Sequence, residues 1–330
     1  MTTFPIVIGC RRSGISLLKV MCASHPDVAV VPDASFAIRL APRFTNRSDT
    51  TTTSFDARAF LDAAYADRTL ATWLVARADA EASFQLDAPD TYSDAVQRLY
   101  QLWTDSQHKT RFVEASPDSI DHLSSLTQMF PDAKVIHLVR DGRHVAASLL
   151  ELGLVSRLED GAMHWRRQVS NARRILLSQP TGRHYELRYE DLVSAPEPTL
   201  QAMCRAIGLP YHPDMLDYRP LASQTVHRAS KPHHHRFLAH PLRVGLRDWQ
   251  RDLPTEAVER FEALAGGLLR ELGYELQRPR PRVRAQLSAR THRRGWRRRL
   301  RARRSDAWSA GRDDHGLVLS PSPGRRPPAR

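Results

Sequence analysis

The chain has 330 residues, 41% of them hydrophobic and 26% charged, which supports a buried core and excludes a mostly disordered polypeptide. Its net charge of +13 sits at one end: residues 278–330 hold seventeen arginines, no lysine and three aspartates, so that stretch carries +14 and residues 1–277 carry −1. Charge-driven binding is therefore a property of the tail alone, and Cys10, Cys22 and Cys204, which lack CxxC or Cys/His spacing, argue against a disulfide framework or a zinc site.

Phe4–Ile8 is an apolar, β-rich run ending at Gly9, and Leu17, Leu18, Met21 and Cys22 fall at helical spacing over 14–23. The first unit thus reads strand, loop, helix. His25-Pro26-Asp27 ends that helix, and Val28–Val31 predicts a second buried strand. A polar loop over 45–54 leads to helical patterns at 56–78 and 92–108, which predict a helical cap. Phe112–Ala115 predicts a brief strand, Asp118–Met129 a helix, and Lys134–Val139 a buried strand that meets Arg140-Asp141-Gly142. A helix carrying Val145, Leu149 and Leu150 follows, then a long helix over 159–178 and a strand over His184–Arg188. Pro198–Ile207 predicts a helix closed by Gly208, and Thr255–Leu272 a last one with Thr255 as N-cap and Gly273 as C-cap.

Strands alternating with helices predict an α/β fold on a parallel sheet flanked by helices. Beyond Gln277 the chain turns rich in Arg, Pro and Ser, which predicts a domain over 1–277 and a largely disordered basic tail over 278–330. Within that tail, 283–304 offers a basic helix with a thin apolar face of Leu287, Trp296 and Leu300, suited to an anionic surface or polymer. No run approaches the ~20 apolar residues of a membrane span. The N-terminus lacks the charged and apolar regions of a secretory signal, so the expectation is a cytoplasmic protein with no integral membrane segment.

Gly9-Cys10-Arg11-Arg12-Ser13-Gly14-Ile15-Ser16-Leu17-Leu18 lies between the first strand and the first helix. A helix N-terminus presents unpaired N–H groups and partial positive charge, and two arginines with two hydroxyls add charge-assisted donors, so the loop is read as an anion site. Gly9 and Gly14 have the spacing of a nucleoside-triphosphatase loop, but Ile15 stands where that loop needs its lysine. This favours a donor without obligatory magnesium. Arg140 at the end of a strand, with Ser148 eight residues on, predicts a second anion site at the sheet's carboxyl edge. The alternative there is a surface turn in which Arg140 pairs with a local carboxylate.

With these motifs in order, the chain resembles the PAPS-dependent sulfotransferase superfamily, especially its bacterial and tyrosylprotein-sulfotransferase-like branch. Arg11-Arg12-Ser13-Gly14-Ile15-Ser16-Leu17-Leu18 is similar to the family's 5′-phosphosulfate loop, and Phe130 through Arg140-Asp141-Gly142-Arg143 to Ser148 resembles its 3′-phosphate motif. Arg188-Tyr189-Glu190-Asp191-Leu192, Trp249 and Gly273-Tyr274 also fall where the family has comparable elements. The resemblance implies a P-loop-like sheet, PAPS as donor, PAP as product, and no metal. It implies that Arg12, with Arg11, Ser13, Gly14, Ile15, Ser16 and Leu17, contacts the 5′ end. Arg140 and Ser148 are implied to hold the 3′-phosphate, Tyr189 to lie near the nucleotide, and Asp33 to act as base.

Two departures stand out. Ile15 replaces a threonine, and Ala115 precedes Ser116-Pro117 where many relatives carry a lysine, which shifts transition-state charge onto Arg12. For Asp33 the other reading is an N-cap of the helix starting near Phe36. His233-His234-His235, with Lys231-Pro232, is read as part of a lid rather than a metal site, and Arg243 and Arg247 as further 3′-phosphate candidates. The acceptor is open among small molecule, glycan, lipid and peptide. The other readings are a P-loop kinase or a non-catalytic nucleotide-binding relative.

Overall fold

The computed structural model describes residues 4–45, 55–116, 118–228, 238 and 248–306. Among the described residues there are five parallel strands, the first four from mainly apolar runs and the last from an edge segment that buries only Leu187: β1 (Pro5–Gly9), β2 (Val28–Val30), β3 (Arg111–Val113), β4 (Lys134–Val139) and β5 (His184–Arg188). β1 pairs with β4 and β4 with β5, while β2 pairs with β3. A bridge between Ile6 and Glu114 joins the two pieces, with Val7 N donating to Glu114 O at 2.8 Å and Glu114 N to Pro5 O at 3.0 Å. The order is therefore β2-β3-β1-β4-β5. The chain leaves β1 toward β2 and β3 on one side and later adds β4 and β5 on the other. Sheets of this kind open a ligand crevice beyond the carboxyl ends of the strands at that reversal.

On the sheet, α1 (Ile15–Ser24) is buried from Leu17 to Ala23 on every side, as its nearly unbroken apolar sequence requires. A second layer caps the β2–β3 side: α2 (Ser35–Thr45), α3 (Ala57–Tyr65), a 3₁₀ turn over Leu70–Trp73, α4 (Arg77–Leu86) and α5 (Tyr92–Ser106). Its core is aromatic, with Trp73 stacked on Tyr100 and both in one cluster with Phe4, Phe36, Phe60, Phe112 and Phe130. The single helical pattern read over 56–78 is broken in two. Asp67 turns its carboxylate onto the backbone N–H and hydroxyl of Thr69 at 2.8 and 2.7 Å and pairs with Arg39, so local side-chain bonds outcompete the helix ladder. Likewise α6 begins at Leu123 and runs to Met129, because residues 118–122 form turns before it.

On the β4–β5 side lie α7 (Gly142–Glu151), α8 (Leu158–Leu177), α9 (Tyr189–Ser194) and α10 (Pro196–Ile207); α11 (Arg219–Arg228) packs on α1, and α12 (Trp249–Asp252) and α13 (Thr255–Glu271) follow against α7 and α8. Thr255 is the first helical residue of α13, preceded by Pro254 in the cap position, and the helix closes with Tyr274 N on Leu269 O at 2.8 Å. The arginine-rich segment contains α14 (Val283–Asp306), docked on α13 and α8 with Ala289 buried in their shared cluster. His292 meets Asp160 at 3.1 Å, and Arg293 donates to the carbonyls of Ala263 and Leu264 at 2.9 Å. Residues 307–330, the remainder of the predicted tail, lie outside the described residues, as do His233-His234-His235, Arg243 and Arg247. Among the described residues no helix is long and apolar enough to cross a membrane.

A buried ionic knot fastens these layers. Arg143, 2% exposed, reaches Asp141 and Glu262, each at 2.8 Å, and lies 3.8 Å from the centroid of the Trp249 ring. Glu262 also accepts the backbone N–H groups of Gln277 and Arg278 at 2.9 Å. Removing one partner of such a buried pair strands the other charge. Glu262→Ala should therefore cost about 3–5 kcal/mol, read as a lowered midpoint in thermal unfolding, whereas loss of under about 1 kcal/mol, the range of exposed pairs, would contradict this account of the knot.

Candidate active site

β1 ends at Gly9, and the chain turns through Cys10 to Gly14 before α1 starts. Arg12 sits in the left-handed region at φ 73° and Gly14 follows at φ 110°. Gly14 caps α1 and its carbonyl receives the N–H groups of Leu17 and Leu18 at 3.0 and 3.2 Å, so Leu17 N is engaged inside the helix. The amides of Ile15 and Ser16 precede that first closed turn and form the anion-seeking end of the helix. Ser13 is buried, and its Oγ has no hydrogen-bond partner among the described residues.

Three elements converge on Arg12. Its Nε donates to Ser148 Oγ of α7 at 3.0 Å, and Arg140, just past β4, donates from Nη1 to the Arg12 carbonyl at 3.2 Å. The Arg140 guanidinium also lies 4.1 Å from the ring centroid of Tyr189, at the end of β5. That ring covers Gly14 so closely that a Cβ there would come within 2.4 Å of Tyr189 Cδ2. Thus Arg12, Gly14, Arg140, Ser148 and Tyr189, picked from three separate stretches of sequence, meet at the reversal point, with Ser13 buried inside the loop.

Arg11 is turned to the opposite side, where Nη2 pairs with Asp118 at 2.8 Å. Nearby, Asp121 accepts from Arg167 and Gln168 of α8 at 3.0 and 2.7 Å. Burial keeps the neighbouring His164 imidazole neutral, its pKa pushed down to about 4 against the partial pull of Asp121.

On the other flank, Asp33 follows β2. Its Oδ1 accepts the backbone N–H of Ser35 at 2.9 Å and the Ser35 hydroxyl, so the capping geometry is present at the start of α2. That turn uses one oxygen of the carboxylate. The backbone here is fixed by Trp73 Nε1 on Asp33 O at 3.1 Å and by Ala34 N on Ser116 Oγ at 2.8 Å. Beside it lies a second carboxylate that the sequence reading passed over. Glu114, 1% exposed, accepts Ser116 N at 2.7 Å, and burial pushes its pKa up.

Lys19 in α1 was also passed over, although a lysine inside Leu17–Ala23, otherwise wholly apolar, is itself a signal. The side chain is 4% exposed; burial lowers its pKa, while the charges of Asp33 and Glu114 act to raise it. Glu190 is a third omission. It accepts Asp141 N at 3.0 Å and the Tyr274 hydroxyl at 2.9 Å, tying the strand-end turn of Arg140 to the chain beyond α13.

Residues 5–213 match the sulfotransferase family profile, nearly two thirds of the chain. The chain belongs to the sulfotransferase family. Among curated proteins it is 24% identical to protein-tyrosine sulfotransferase 1 of Danio rerio over 284 residues, covering 81% of this chain and 71% of that protein. It is 25% identical over 242 residues to an uncharacterized protein of Aquifex aeolicus, covering 68% of this chain but only 28% of that protein's length. Among solved structures, the sulfotransferase domain of the Synechococcus PCC 7002 olefin synthase superposes with a TM-score of 0.52 at 18% identity, covering 83% of this chain and 96% of that one. The sulfotransferase domain from the curacin biosynthetic pathway gives 0.51 at 16% identity, covering 84% and 99%. Both establish a shared sulfotransferase fold.

Two outcomes follow from this geometry. Gly14→Ala should destabilise the protein by about 1–3 kcal/mol in denaturant titration, and Tyr189→Ala in that background should recover part of the loss by removing the clash but not the backbone strain. Strict additivity of the two changes would contradict the contact. For His164, the unfolded chain binds a proton below the ordinary value of 6.5 while the folded one does not until about 4. Stability from this group is thus lost as pH falls through that window. His164→Gln should flatten the fall in thermal midpoint between pH 6.5 and 4; an unchanged slope would refute the assignment.

Proposed function

We propose that this chain transfers a sulfuryl group from PAPS to an acceptor hydroxyl or amine, releasing PAP. The observation that carries the reading is the convergence on Arg12: one anion-seeking helix end and, within a single hydrogen bond of it, a second cationic site built from Arg140 and Ser148. A nucleotide phosphorylated at both ends of its ribose suits two such sites side by side. A plain triphosphate loop has no use for the second. The tight cover of Tyr189 over Gly14 adds a flat surface for the nucleoside.

In the reaction, the acceptor oxygen or nitrogen forms a bond to sulfur as the bond from sulfur to the 5′-phosphate oxygen breaks, the two in line. The acceptor's proton passes to Asp33, whose Oδ2 lies outside the capping turn. The electron pair leaves with the phosphate oxygen, where Arg12 and the Ile15 and Ser16 amides stabilise the growing charge. Ile15 contributes only its backbone there. Arg11, held by Asp118, acts at the rim of the loop rather than at the leaving oxygen. The family match and fold support a sulfotransferase, and the acceptor belongs to the cap of α2 to α5.

Calorimetric titration with PAP, ADP and ATP, with and without magnesium, tests the donor. PAP should bind at least about tenfold more tightly than ADP, the worth of one hydrogen bond to a charged group, and magnesium should not matter. Arg140→Ala and Ser148→Ala should each erode that preference while sparing ADP. Preference for ATP with magnesium would replace this reading with a kinase.

A further inference from the structure

The sheet order sets what lies beside what at the carboxyl edge. Reading across β2, β3, β1, β4 and β5, the strand ends deliver Asp33, Glu114, the Arg12 loop, Arg140 and Tyr189. If the two phosphates occupy the β1 and β4 positions, the group beyond the 5′-phosphate points toward β3 and β2. Here the strand itself supplies no cation: Ala115 is 1% exposed and packed among Val7, Val30, Leu17 and Leu18.

α1 supplies one. Helical side chains tilt toward the N-terminus of their helix, so the stem of Lys19 runs back along the face it shares with Ile15 and Ser16, toward the sheet's carboxyl edge. Asp33 and Glu114 are the charges that act on its ammonium. Yet no hydrogen bond or ion pair at bonding distance reaches Lys19 among the described residues, although the residue is only 4% exposed; its stem is enclosed, while its nitrogen is not among the fully enclosed atoms that lack a partner. A buried ammonium is costly unless its donors are used. Asp33 and Glu114 act on it without bonding it, which leaves its N–H donors for something else.

We propose that Lys19 is the binding group for the sulfuryl moiety of the donor, reaching it from inside α1. This rests on the donor reading above and extends it to the reactive end of the molecule. Lys19 donates hydrogen bonds to the sulfuryl oxygens while the acceptor bond forms and the phosphate bond breaks, and the acceptor's proton goes to Asp33.

Because PAPS and PAP differ only in the sulfuryl group, paired titrations of the full chain isolate the contact without knowledge of the acceptor. Lys19→Met, an apolar swap of similar length, should keep PAP affinity within about twofold and weaken PAPS by about tenfold or more. Its thermal midpoint should stay level or rise, since an ammonium without partners is replaced by an apolar chain. Equal effects on both nucleotides, or none on PAPS, would overturn the proposal. Should the variant not fold, ζ-nitrogen NMR of the unaltered protein decides: PAPS must shift the Lys19 signal well beyond the shift with PAP, and identical shifts refute it. A wild type that fails to prefer PAP over ADP instead withdraws the donor reading and this proposal together; a wild type that prefers PAP while Lys19→Met leaves the PAPS-to-PAP ratio unchanged removes Lys19 alone.

Discussion

Arg12 is held in a backbone conformation that an L-residue adopts at a cost, and the structure around it explains how. Ser148 fixes its guanidinium, Arg140 fixes its carbonyl, and Tyr189 closes over the glycine two residues on. These partners come from α7, the end of β4 and the end of β5. The loop can therefore keep its shape only if the ends of β1, β4 and β5 lie side by side. The order β2-β3-β1-β4-β5 is what places them so, and the Glu190 bridge from Asp141 to Tyr274 locks the arrangement from behind.

The same order divides the labour of the edge. Cations and an aromatic ring gather from β1 to β5, where we propose the donor nucleotide binds. Carboxylates gather at β2 and β3, under the helical cap, the side we propose for the acceptor. Lys19 is the exception, a basic residue of the helix on which Asp33 and Glu114 act, and its lack of bonded partners among the described residues is why we propose it for the donor's far end. Sulfotransferase family membership agrees with this division without dictating which residue serves the reactive end.

Much of this was legible in the sequence. β1, its loop and α1 were marked by an apolar run, a glycine and helical spacing, and β4 by an unbroken apolar strand meeting Arg-Asp-Gly, since local pattern and burial point the same way there. What escaped notice depends on contacts between distant residues. The break between α3 and α4 arises because Asp67 finds Arg39 and Thr69, and no periodicity records such a choice. Arg11 looks equivalent to Arg12 in the loop, yet Asp118 draws it away. α14 has too thin an apolar face to predict docking, but Ala289 is small enough to seat it against α13. Lys19 and Glu114 were passed over because motifs draw attention to loops, while these two charges lie in a helix and at the end of a strand.

The central claim is that one ligand bridges the loop beside Arg12 and the pair Arg140–Ser148. A crystal structure of the protein soaked with PAP tests it most directly. The account predicts one phosphate against the Ile15 and Ser16 amides and the other between Arg140 and Ser148, with the base side of the nucleotide toward Tyr189. A bisphosphate bound with either phosphate outside those two places would contradict it.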